Sequence, residues 1–137
     1  MRKLKRSTGL VGAILLSVAA PVAAQVYTPR PGTSTRAAIM DALRPSIEAR
    51  LGPNVEFVVK DLRVYGGWAF VTANPRRKGG RQIDGRRYLG DWYDVGGLET
   101  TAVLKFQRGR WNLIQSAVGA TDVWYCDLGP RQIHPWC

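Results

Sequence analysis

Histidine is almost missing from this chain: His134 is the single one among 137 residues, and it stands three positions from the end in "HPWC". That scarcity removes the commonest general base and metal ligand from consideration across nearly the whole sequence. Cysteine is scarce too, with Cys126 and Cys137 alone. Neither belongs to a C-x-x-C pair, so the usual structural zinc pattern is excluded. Acids number 10 against 20 lysines and arginines, giving a net charge of +10. There is no G-x-S-x-G, P-loop or H-E-x-x-H, and no serine or cysteine in a nucleophile setting. Beyond residue 24 no apolar run approaches the length of a bilayer span. Such a chain is expected to be a non-catalytic protein without cofactor or metal.

The one long apolar run lies at the start. Arg2, Lys3, Lys5 and Arg6 precede "LVGAILLSVAAPV", and Val22 and Ala24 suit the small-residue positions of a signal peptidase site. This pattern predicts a signal peptide over residues 1–24, cleaved before Gln25, and a periplasmic or secreted product with no transmembrane span. Removing four basic residues from 20 leaves 16 against 10 acids, a net of +6 on a single domain. In an oxidising compartment Cys126 and Cys137 are expected to pair. So short a loop contributes about 3 kcal/mol in the chain-entropy description. The alternative C-x7-H-x2-C metal reading lacks a fourth ligand.

The excess charge is concentrated. "RRKGGRQIDGRR" (residues 76–87) holds six basic residues and one acid, Asp84, and Tyr88, Trp92 and Tyr93 follow. Arg76, Arg77, Lys78, Arg81, Arg86 and Arg87 are the candidate anion-binding residues, because guanidinium forks suit phosphate and carboxylate. Gly79, Gly80 and Gly85 leave the backbone free. Export turns this chemistry away from nucleic acid and toward lipid headgroups, lipopolysaccharide phosphates, cell-wall carboxylates or an acidic envelope protein. The competing expectation is a solvated hairpin that merely keeps the protein soluble.

A second candidate is the disulfide-closed tail, in which Arg131, His134 and Trp136 are the expected partner-binding residues of an inhibitor-like or immunity-like module. Trp and Arg are enriched at interface hot spots, and ring closure lowers the ordering cost of binding. A third is a small-ligand pocket on the concave side of a sheet, where Trp68, Phe70, Leu104 and Trp111 are the side chains expected to fill the space.

Periodicity sets the fold expectation. "QVYTPRPGTST" (residues 25–35) reads as an extended linker ending in an N-cap at Thr33 or Ser34. Ile39, Leu43, Ile47 and Leu51 form one helical stripe, with a kink or restart expected at Pro45 and a stop at Gly52-Pro53. "VEFVVKDLRV" and "WAFVTA" flank Gly66-Gly67 as a hairpin. "LETTAVLKFQ" and "RWNLIQSAVG" flank Arg108-Gly109 as another, placing Phe106 opposite Trp111 and Leu104 opposite Leu113, all four expected in the core. The sum is an α+β domain over residues 36–137, one helix on a four-stranded antiparallel sheet.

The series "R-x-x-I-M-D-A-L-R", "V-E-F-V-V", "W-A-F-V", "G-R-W-N-L" and "G-A-T-D-V", spread over roughly residues 36–123, resembles a set of small exported bacterial proteins of unassigned function with a cystatin/NTF2-like fold. The resemblance implies an export route and that fold, and it carries over no catalytic residues. Ketosteroid isomerases on NTF2-like folds use an acid and a tyrosine in an apolar cone. Asp91, Tyr93 and Asp94 are the residues to compare, and their place after the basic segment predicts an exposed position.

Overall fold

The structure is a computed structural model that describes Gly9, residues 12–20 and residues 24–137. The basic start of the expected signal segment and residues 21–23 therefore lie outside the described residues. Residues 12–20 carry no regular structure and every one of them is exposed. No helix of the described chain is long and apolar enough to cross a membrane.

Helix α1 spans Ser34–Leu51. Thr33 caps it, its hydroxyl accepting from the Arg36 amide, so one of the unpaired first-turn donors is satisfied. The expected stripe is the buried face: Ile39, Leu43, Ile47 and Leu51 are all fully buried. The helix does not restart at Pro45 but runs through it. The carbonyl that the proline leaves without a donor belongs to Asp41, an exposed residue that water reaches. Gly52 ends the helix at φ 85°, a conformation that costs glycine little.

Four strands follow: β1 (Val55–Tyr65), β2 (Trp68–Arg77), β3 (Thr100–Gln107) and β4 (Arg110–Val118). They form an antiparallel meander in the order β1-β2-β3-β4. Both predicted tight turns are present. Arg108 and Gly109 both take positive φ, 54° and 76°, as a two-residue turn matched to strand twist requires. The registers Phe106 opposite Trp111 and Leu104 opposite Leu113 are those expected.

Each outer strand carries an irregularity that the alternation alone did not suggest. In β1 the register shifts between Val59 and Asp61. Val55, Phe57 and Val59 face the helix before the shift, and Leu62 and Val64 face it afterwards, so odd and even positions share one face. In β4 the register shifts opposite Val103 and Leu104. Trp111 and Leu113 give way to Ser116, whose hydroxyl lies 3.1 Å from that of Ser46, and to Val118. A bulge bends its strand and increases local twist. With one on each outer strand, the sheet curls and α1 contacts both β1 and β4. This curl fills the concave side with aliphatic side chains from α1, β1, β2 and β3.

Three expected core positions need correction. Phe106 is 47% exposed, near the end of β3, where it lines an open groove with Ser34, Thr35 and Ala38 of α1 instead of being covered by the helix. Trp68 and Phe70 point to the opposite face of the sheet. There Phe70, Val103, Tyr125 and Ile133 form a second apolar cluster under the C-terminal tail. The domain thus has three layers, helix, sheet and tail, and the Cys126–Cys137 disulfide closes the third. The expected linker is also tied down. The Tyr27 amide donates to the Val64 carbonyl at 3.0 Å, and the Tyr27 carbonyl accepts from the Val64 amide at 2.9 Å, covering part of the free edge of β1.

Candidate functional site

The basic segment begins inside β2. Only β1 pairs with β2 beyond Ala73, since β3 starts at Thr100 opposite that residue. Pro75, which has no amide to donate, sits in this one-sided stretch, where a missing ladder bond is tolerated. Gly79 and Gly80, at φ 83° and 82°, then turn the chain back, and the Arg77 amide donates to the Arg81 carbonyl at 2.8 Å.

From there the segment is packed, not merely solvated. Ile83 and Leu89 are buried in the main core. Asp84 caps a short 3-10 turn at Gly85–Arg87, accepting from the Arg86 amide at 3.2 Å. Gly85 is needed for contact and not for conformational freedom. A Cβ there would lie 2.0 Å from Cζ3 of Trp92, whose ring rests on the glycine backbone. Trp92 in turn packs against the main core. The glycine and tryptophan, seven positions apart, thus clip the loop shut.

This anchoring divides the six cations. Arg77 is already committed: its guanidinium donates to the Leu51 carbonyl and, at 2.9 Å, to the Pro53 carbonyl, satisfying acceptors at the end of α1. It also lies 5.0 Å from the centre of the Tyr88 ring. Arg77 therefore carries a structural role that its charge alone did not suggest. Arg86 faces Asp84 at 3.4 Å, and both side chains are exposed, a geometry of little energetic weight. Arg76, Lys78, Arg81 and Arg87 have no acidic partner within ion-pair distance among the described residues. Glu56 stands opposite Arg76 in register without pairing to it. Beside the one-sided stretch of β2 lies a groove of about 690 Å³. Arg76 and Arg86 bring positive charge to it and Asp84 one carboxylate, Asn74 and Gln82 bring amides, and Ile83 and Trp92 supply an apolar floor. Asp91, Tyr93 and Asp94 are exposed, outside any apolar cone.

The tail separates its three candidates. Arg131 is exposed and Trp136 is 73% exposed, but His134 is buried. Its ring stacks on Tyr125 with centroids 5.4 Å apart and meets Phe70 edge-on at 5.3 Å. Its Nε2 donates to the Leu128 carbonyl, and Nδ1 is buried with no hydrogen-bond partner. His134 is thus a packed interior residue and not a surface contact, because the 3-10 turn at Arg131–Ile133 carries the chain back onto the sheet. The alternation of the central strands held the missed signal. In "WAFV" apolar residues stand at every position, and Val103 lies between Ala102 and Leu104, so both faces of the central strands carry apolar side chains that require cover.

Among the described residues no three His, Cys, Asp or Glu side chains converge as metal ligands do. Burial, and secondarily the negative charge of Glu99, push the Tyr125 phenol above its ordinary range. No protein-family profile, curated protein or solved structure matches this chain.

Proposed function

We propose that this protein is an exported, non-catalytic binding module of cystatin/NTF2-like type that engages anionic envelope material through the segment Arg76–Arg87. One observation carries the reading: the segment is anchored by Ile83, Leu89 and the Trp92–Gly85 contact while Arg76, Lys78, Arg81, Arg86 and Arg87 remain directed to solvent or groove. A fixed loop loses little entropy on binding, so its charge is available for attraction. Each cation near an anionic surface contributes on the order of 1 kcal/mol, and salt screens that contribution. Export is supported by the basic and apolar start of the chain and by a disulfide at the tail. The periplasmic or secreted location belongs to the same proposal.

The test is sedimentation of the mature protein with vesicles containing anionic phospholipid and, separately, with purified cell wall, over a salt series. Binding is expected to fall steeply as salt rises. Reversing Arg81 and Arg87 to glutamate should abolish it and leave the melting temperature nearly unchanged. Full binding by the reversed variant would refute the proposal.

A further inference from the structure

A second pocket lies on the outer face of the sheet, away from the basic groove, with a volume of about 470 Å³. Four charged residues line it, and they cancel in pairs: Lys60 with Glu99, and Arg63 with Asp61 at 3.1 Å. The pocket therefore has no net charge but is dense in donors and acceptors. Thr72 and Thr101, cross-strand partners on β2 and β3, add two hydroxyls. The Thr101 oxygen accepts from Trp124 Nε1 at 2.9 Å, which leaves its own hydrogen free to donate. The Tyr125 hydroxyl, held protonated near Glu99, is another donor.

The remaining wall is Trp136, a large aromatic face left 73% exposed. Tyr125 and Trp136 are the chain neighbours of Cys126 and Cys137, so the disulfide joins the two aromatic sides of the pocket. A free terminal tryptophan would lose rotational freedom on binding, and the covalent tie removes part of that cost in advance.

These features select a ligand. An ion would have to displace one member of an existing pair, and a purely apolar molecule would leave the charged and hydroxyl groups without partners. A sugar ring satisfies both walls. Its polarised C–H face rests on the electron-rich face of an indole. Its hydroxyls donate to paired carboxylates and accept from the ammonium, guanidinium and hydroxyl groups. We infer that this pocket binds an uncharged saccharide, the ring stacked on Trp136 and the hydroxyl groups bonded along Asp61, Arg63, Glu99 and Thr72. The inference does not rest on the basic loop, and the two differ in their response to salt.

The experiment is titration of the oxidised protein with three neutral trisaccharides, those of N-acetylglucosamine, of β-linked glucose and of α-linked glucose. Tryptophan emission and calorimetry are the readouts. At least one sugar is expected to saturate with a Kd of about 1 mM or tighter. High salt should leave that affinity unchanged, in contrast to vesicle binding. Trp136→Ala should weaken it about tenfold, the upper range for loss of one stacked ring. Trp136→Phe should restore part of the loss. Cys126→Ser with Cys137→Ser should weaken binding in the same direction in a protein whose circular dichroism still shows the native sheet. Failure of all three sugars to saturate, or equal affinity in the Trp136→Ala protein, would overturn the inference. Vesicle binding that persists in that variant would leave the reading of the loop standing on its own.

Discussion

Replacing Arg77 by methionine separates the two roles that one charged segment was expected to share. Methionine keeps most of the aliphatic stem and removes the guanidinium. Two charge-assisted hydrogen bonds are lost, to the carbonyls of Leu51 and Pro53, together with the stacking on Tyr88. A hydrogen bond from a charged group contributes about 1.5–3 kcal/mol where it is shielded, and less where water replaces it. The Pro53 bond is exposed and the Leu51 bond is partly buried. Weighting the second more heavily, and adding about 0.5 kcal/mol for the cation over the ring, gives a loss of roughly 2–3 kcal/mol. For a domain of this size that lowers the melting temperature by roughly 10 °C. Arg77→Lys should fall between the two, because an ammonium is a point charge that cannot match two carbonyls as a planar fork does. Arg81→Met, at an exposed position with no ion pair, should change stability by no more than about 0.5 kcal/mol. Differential scanning calorimetry of the three variants decides the matter. If the Arg77 and Arg81 variants melt together, the division of the basic segment into structural and presented cations is wrong.

Two further outcomes follow from the same contacts. Gly85→Ala should destabilise by about 1–3 kcal/mol, since the new methyl meets the Trp92 ring and the ring must leave its seat; a shift in tryptophan emission should accompany the lower denaturant midpoint. The raised pKa of Tyr125 gives a pH dependence of definite sign. The folded state holds this proton more tightly than the unfolded chain, so the contribution is fully present below pH ~10 and is lost as pH rises through the folded value. Denaturation titrations should show a steeper alkaline loss of stability in the natural protein than in Tyr125→Phe.

The elements were legible in the sequence because they follow from local physics. Four apolar residues at helical spacing, a threonine cap and a Gly-Pro stop define α1 within a residue of its observed bounds. Gly66-Gly67 and Arg108-Gly109 define both hairpin turns, and the second turn fixes the register of β3 with β4. The cysteine pair, alone in the chain, left one intramolecular disulfide to form. The role of Arg77 was not legible in this way. Its charge resembles that of its neighbours, and its commitment to α1 depends on β2 passing beside residues 51–53, some 25 positions away.

Sequence by itself determined the apolar and charged inventory, the helix, the tight turns and the pairing of strands across those turns, because each depends on residues close to one another along the chain. Tertiary structure alone decided which side of the sheet each apolar residue covers, since one bulge in β1 and one in β4 reverse the alternation partway along. It also decided that His134 goes inward while Trp136 remains outside, because the disulfide and the second apolar face together fold the tail back. And it drew Lys60, Glu99, Thr101 and Trp136 from β1, the start of β3 and the chain terminus into one pocket, a gathering that no spacing in the sequence encodes.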